Sequence, residues 1–331
     1  MAVHIFVMDK VNYKNCKTKG IVGLPKTDSD ETFDALLSRL AMINENDYIL
    51  MFVNYDDNKK KSKTPVRELR GVWQADSMPF YDENALWTDD DFDNNKTNYP
   101  FRCRIKTSDF CFDKPLLLND IRDLLNNNKI WTWALNRPSG YPNAMFSISN
   151  EEFEIMVNEF LKINPFSQKK WRIVEPYPYH EPNIIEKMRT GYESSIMTYL
   201  NHAFSTGKFK DIFGNYTDHL SYIPTNLNKE IDILLMYGHP QNHNLILSYD
   251  IIEVKRDVFD RNALTQLIDY ETWFLQKKVS GDMKMLRTTA IAGSFSKEVI
   301  DYVKKRTEFE HKPIKLVQYK FNGDGFDLEQ M

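Results

Sequence analysis

Residues 244–255 form a largely apolar run that closes on Glu253-Val254-Lys255, and a second apolar run, Ile231–Met236, carries Asp232 near its head. Full charges inside otherwise apolar strands constrain a chain strongly, because burying them without partners is costly. Successive strand side chains point to opposite faces, so Glu253 and Lys255 share one face while Ile252 and Val254 pack behind them. Where the two strands pair near these residues, two carboxylates and one ammonium converge. Such a set suits a hard divalent cation with a positive group beside it. The plainer alternative is a group of ion pairs on an edge strand. Phosphodiester hydrolysis uses this set: magnesium (or manganese) held by carboxylates polarises a phosphoryl oxygen, and a lysine orients water or offsets charge at phosphorus.

Around these runs helix and strand alternate from Glu186 onward. Glu193–Phe204 reads as a helix with Ile196, Leu200 and Ala203 on one face, Asn262–Phe274 and Lys297–Arg306 as two more, and Thr288–Ala292 and Ile314–Phe321 as further strands. This predicts an α/β core with helices on both sides of a short sheet. His239 and His243 stand in Gly238-His239-Pro240-Gln241-Asn242-His243, where Pro, Gly and Asn signal an exposed turn between strands. Lys208, Lys210, Lys255 and Arg256 are candidates for phosphate contacts, with plain solvation equally open.

The first half has a different texture. His4–Val7, Tyr48–Asn54, Gly71–Ala75 and Phe101–Ile105 read as strands, and Glu31–Met42 and the stretch after Ser149-Asn150-Glu151-Glu152 read as helices. These imply a sheet or barrel with a few packed helices. Asn164-Pro165 ends the last helix. Residues 166–188 lack either periodicity and carry Pro176, Pro178 and Pro182, which predicts a semi-rigid connector. The expected organisation is an α+β chain of two domains, 1–165 and 189–331, joined by 166–188, and 331 residues suffice for both.

No apolar stretch approaches the roughly 18 residues of a membrane span, and Met1–Val7 reads as a first strand, so a cytoplasmic protein is expected. Cys16, Cys103 and Cys111 form no metal-ligand spacing and read as reduced, buried thiols. The net charge is −4, with 21 Lys+Arg against 25 Asp+Glu in residues 1–165 and 22 against 22 in the rest. Any DNA contact must therefore use local patches.

The ordered set Gly191-Tyr192-Glu193, Glu230-Ile231-Asp232, Glu253-Val254-Lys255 and Gln266 with Tyr270 resembles the core of the PD-(D/E)XK nuclease superfamily. That resemblance implies a restriction-endonuclease-like fold with Glu193, Asp232, Glu253, Lys255 and Gln266 as the catalytic set. It also implies metal ligation by Asp232, Glu253 and Glu193, and a Gln266 side chain pointing toward the metal site or the DNA backbone. Ile231 stands where proline often precedes the family's aspartate.

Residues 1–165 resemble the EVE domain of the PUA and YTH-like barrels. The resemblance is carried by Ile5–Asp9 with Asn12-Tyr13, Gly20–Pro25, Asp47–Leu50, Gly71–Ala75, Tyr99–Ile105 and Ser147–Phe153. Such a barrel holds a flipped base by stacking and edge hydrogen bonds. Trp73, Tyr13, Trp87, Trp131 and Trp133, with Tyr81, are candidates for an aromatic cage or for core packing. Trp73 is the first choice, because its strand falls where the resemblance places one pocket wall. Lys59-Lys60-Lys61-Ser62-Lys63 could grip a phosphate backbone or be a solvated hairpin tip, and Asp89-Asp90-Asp91 reads as a mobile, mutually repelling loop.

Together the two resemblances imply a metal-dependent DNA endonuclease that recognises a modified base, in the manner of a modification-dependent restriction enzyme. A repair nuclease for mismatched or branched DNA and a non-cleaving nucleic-acid-binding protein are the alternatives. Double-strand cleavage with one site per chain would favour a homodimer.

Overall fold

The computed structural model describes residues 1–55, 66–133, 144–164, 171–188, 191–225, 227, 229–322 and 325–331. The Lys59–Lys63 run lies outside them. The chain divides into two compact units, 1–188 and 189–331.

The first unit runs β1 (Val3–Asp9), α1 (Lys10–Lys19), β2 (Ile21–Leu24), α2 (Asp30–Leu40), β3 (Tyr48–Tyr55), β4 (Val66–Ala75), β5 (Phe80–Tyr81), β6 (Phe101–Thr107), β7 (Leu116–Leu117), α3 (Leu118–Asn126), β8 (Met145–Ile148) and α4 (Asn150–Ile163). Its sheet has the order β2-β6-β4-β3-β1-β8, with β5 on β6 and β7 on β4. β1 and β3 are parallel, and the other neighbours are antiparallel. The sheet curls into an open half-barrel rather than a closed barrel among the described residues. Two buried clusters cover it. One joins Phe6, Trp73 and Phe101 to Phe33, Leu36, Leu37 and Leu40 of α2, and the other joins Leu50, Phe52 and Phe146 to Phe153, Met156 and Phe160 of α4.

Local chemistry sets the helix ends. Ser149 accepts from the Glu152 amide while Glu152 bonds back to the Ser149 amide, a reciprocal cap that fixes the start of α4. Gly20 closes α1 at φ 64°, and a Cβ there would also meet Ile173 at 2.8 Å.

Two expectations change here. Residues 171–188 do not stand apart as a connector: the Val174 and Glu175 amides donate to Thr18 O at 3.0 Å, the Tyr177 amide donates to Lys19 O, and Ile184 is buried in the first unit's core. The acidic run 89–91 is also tied down. Asp90 accepts from the Leu86, Trp87 and Asn98 amides and from Thr97 Oγ1, so backbone donors absorb the charge that was expected to keep the loop mobile.

The second unit runs α5 (Glu193–Ser205), α6 (Lys210–Phe213), β9 (Asp218–Pro224), β10 (Glu230–His239), β11 (Asn242–Phe259), α7 (Arg261–Lys277), β12 (Leu286–Phe295), α8 (Lys297–Glu310), β13 (Lys315–Phe321) and β14 (Phe326–Gln330). Its sheet order is β14-β13-β12-β11-β10-β9, with β11, β12 and β13 parallel. Ile196, Leu200 and Phe204 of α5 pack with Ile233, Leu235, Ile252 and Val254. α7 takes the opposite face, where Phe274 meets Tyr249 and Glu271 accepts from Thr288 Oγ1. Among the described residues no helix is long and apolar enough to cross a membrane. Cys16, Cys103 and Cys111 are buried thiols outside any disulfide among the described residues.

Candidate active site

β10 and β11 pair antiparallel with Ile233 opposite Ile252, so Asp232 and Glu253 fall at the next position across the same ladder. There the Val254 amide donates to Asp232 Oδ2 at 2.8 Å. On the other flank of β11, the parallel β12 sets Ala290 beside Glu253 and Ala292 beside Lys255.

Exposure rises in steps from Glu253 to the mouth. The Glu253 side chain is 0% exposed, Lys255 25% and Glu193 42%, so the cluster opens toward the Glu193 end. The Lys255 ammonium lies 2.8 Å from Glu253 Oε1 and 3.3 Å from Glu193 Oε1, and it donates to Val254 O at 2.9 Å. Its three donors are thereby used. Glu193 opens α5, where the helix dipole favours a carboxylate.

Gln266 approaches from α7. Its amide donates to Glu253 Oε1 at 2.8 Å and to the Tyr270 hydroxyl at 2.8 Å, and Tyr270, fully buried, donates to Glu230 O at 2.6 Å. A bonded path thus runs from the strand that carries Asp232, through α7, to the carboxylate of Glu253. The spacing of Gln266 and Tyr270 placed them on one helix face, but the bond to the Glu230 carbonyl is tertiary and has no counterpart in the sequence.

Burial is the main cause that raises the carboxyl of Glu253 well above its usual range, and the Asp232 charge adds to it. Burial likewise raises Asp232, against the opposing pull of Lys255. Burial by itself would lower the Lys255 ammonium, but Asp232, Glu253 and Glu193 together hold it above its usual value, so it stays charged. Both carboxyls therefore hold a proton more readily than exposed carboxyls do.

Among the described residues no group of three His, Cys, Asp or Glu side chains stands arranged around a cation. The position between Glu253 and Glu193 is taken by the Lys255 ammonium. The donor set nevertheless fits a hard divalent ion: two carboxylates meet across one ladder, and Glu253 Oε2 is buried with no hydrogen-bond partner.

Just past Lys255 the β11–β12 register slips before Val258. Gly293 makes room for this bulge, since a Cβ there would come within 3.0 Å of Arg256 O and 3.1 Å of Asp257 O. Arg256 is engaged with Asp257 at 2.7 Å and with the Gly191 carbonyl. Lys208 and Lys210 are exposed, with the Lys210 ammonium 5.7 Å from the centre of the Tyr216 ring. His239 accepts from the Gln241 amide at 3.2 Å within the turn that joins β10 and β11.

In the first unit Trp73, Trp87 and Trp133 are buried to 4% exposure or less, and Tyr13 to 8%. Tyr13 and Trp73 meet edge to face at 6.2 Å. Trp87 lies in a separate cluster with Ile21 and Phe80, under the buried Arg102 guanidinium. Trp133 packs on Phe52 and Phe146 in the cluster covered by α4. Trp131 is half-buried and its amide donates to Glu152, while the half-buried Tyr81 donates its hydroxyl to Glu83. The candidate aromatics thus do not form one cage. Trp171 meets Trp73 instead, stacked at 4.4 Å.

No family model and no curated protein matches the chain. Among solved structures it is similar to an EndoMS–dsDNA complex, at 16% identity over 31% of this chain and a TM-score of 0.23. The chain spans 36% of that protein's length. It is also similar to the DUF55 domain of human thymocyte nuclear protein 1, at 9% identity over 48% of this chain and 98% of that domain, with a TM-score of 0.27.

Proposed function

We propose that the chain is a metal-dependent DNA endonuclease in which the second unit hydrolyses the phosphodiester bond and the first unit reads a feature of the DNA, a modified base. The observation that carries this reading is the convergence of Asp232, Glu253 and Lys255 on one sheet face, with an unpartnered buried carboxylate oxygen among them. A magnesium or manganese ion held by Asp232 and Glu253, with Glu193 at the rim, would supply Lewis-acid polarisation of a phosphoryl oxygen and make water more acidic.

The chain's own residues account for the rest. Hydrolysis joins a water oxygen to phosphorus, breaks the bond to the leaving oxygen and delivers a proton to it. Lys255, held charged by three carboxylates, offsets charge at phosphorus. Gln266 keeps Glu253 Oε1 engaged, so Oε2 remains the oxygen turned to other work. Incubation with magnesium and matched DNAs that differ only in cytosine or adenine modification tests the reading. Cleavage that stops with chelator and depends on the modification is expected. Full activity in excess chelator refutes the assignment of the site.

A further inference from the structure

Trp73 lies on the strand face expected to hold a base, yet it is 1% exposed. The residue that stacks on its face comes from neither the sheet nor the helices. It is Trp171, whose indole lies on Trp73 with ring centroids 4.4 Å apart and planes 28° from parallel, the arrangement in which a nucleobase stacks on an indole. Tyr13 meets the edge of Trp73, the Arg70 guanidinium lies 5.3 Å over Tyr13, and Arg70 Nε is 2.6 Å from the buried Glu68 carboxylate. The seat therefore has a planar floor, Trp73, and an aromatic side wall, Tyr13, which the Arg70–Glu68 pair backs.

Trp171 itself is only half-buried, and its segment has no helix or strand through Ile184. Backbone bonds from Val174, Glu175 and Tyr177 to the end of α1 hold that segment in place, and farther along Tyr177 meets Arg102 and Asp82 and Ile184 enters the core. Exchanging one stacked ring for another costs less than opening a core, because the face of Trp73 is covered before and after the exchange.

We propose that Trp171 is a resident stand-in for the ligand: it fills, from within the chain, a planar-ring seat on Trp73 that an unpaired nucleobase takes by displacing it. This rests on the reading of the first unit as a base reader. Residues 171–188 lead directly into the second unit's sequence, so occupancy of the seat would loosen the strap from which the nuclease unit continues.

The test uses the full chain with chelator present, a duplex carrying one unpaired base, and its fully paired counterpart. Trp171→Ala should bind the unpaired-base probe roughly fivefold or more tighter than the parent, and Trp171→Phe should stay near the parent. In the parent protein the same probe should speed hydrogen exchange at the Val174, Glu175 and Tyr177 amides. Equal or weaker binding by Trp171→Ala, or unchanged or slower exchange at those amides, overturns the inference. The exchange measurement decides where the alanine variant does not fold. If the parent binds both duplexes alike and Trp73→Ala changes nothing, the base-reader reading fails as well. If the preference depends on Trp73 while the Trp171 results are negative, only the stand-in is lost.

Discussion

The Nζ of Lys255 lies 2.8 Å from Oε1 of Glu253, two residues back on the same strand face. The ammonium thus neutralises part of a buried carboxylate and is itself held charged at the mouth of the site. Lys255→Ala is expected to lower the cleavage rate at saturating metal by about a hundredfold or more, since it removes a positive group from the reacting phosphate. DNA affinity should change little, because one partly buried lysine supplies a small part of a phosphate-backbone interface. Single-turnover cleavage alongside binding in calcium separates the two effects. A variant that cuts at the parent rate removes Lys255 from the mechanism.

Asp232 and Glu253 both hold protons more tightly than ordinary carboxylates, with burial the leading cause in each. Protons and a cation therefore compete for the same oxygens. Lowering the pH from about 8 to about 6 should raise the magnesium needed for half-maximal cleavage, because the cation must displace a proton that is bound more often. Metal titrations at each pH check this. Asp232→Asn should lose cleavage at every metal concentration.

Much of this site was legible because its chemistry breaks a local rule. Asp232, Glu253 and Lys255 stand out as charges within apolar runs, and the period-2 alternation of a strand already put Glu253 and Lys255 on one face. What could not be read was tertiary. Helix α1 buries only Asn12, Tyr13 and Cys16, too sparse an apolar pattern to announce a helix. The 171–188 stretch has no periodicity because it is held by isolated anchors, Trp171 on Trp73 and Tyr177 beside Asp82 and Arg102, whose partners are distant in the chain. Trp73 is sealed by the same long-range contact.

Asp250 is fully buried beneath Thr289, which donates to both its oxygens at 2.8 and 3.0 Å, and burial raises its carboxyl from 3.8 to about 6. The folded chain holds this proton more tightly than the unfolded one. Its stabilising contribution is thus complete below about pH 4 and is lost as pH rises through about 6. Asp250→Asn keeps an acceptor for Thr289 and removes the ionisation. The variant should exceed the parent in stability at pH 8 by roughly 1–3 kcal/mol, with the gain shrinking toward pH 4. Urea unfolding at both pH values measures it, and an equal gain at both would trace the effect to packing instead.

The division of labour between the units gives the last prediction, and the packing of residues 171–188 decides where the chain should be cut. A fragment ending at 165 loses Trp171 from the face of Trp73, Tyr177 from the buried Arg102–Asp82 pair, Asn183 from the Tyr81 backbone and Ile184 from the core. It leaves a buried guanidinium short of a partner and uncovers an indole, each costing on the order of 1–3 kcal/mol. Fragment 1–188 should therefore melt well above fragment 1–165, and calorimetry of the two measures the difference. Fragment 1–188 should bind the preferred DNA without cutting it. Fragment 189–331 keeps Glu193, Asp232, Glu253, Lys255 and Gln266 in one compact unit, so it should retain weak, metal-dependent cutting without discrimination. Circular dichroism of each fragment establishes folding before its activity is read. Discrimination by 189–331 equal to that of the whole chain would remove the first unit from recognition, and equal melting of 1–165 and 1–188 would show that the strap contributes nothing to the unit it covers.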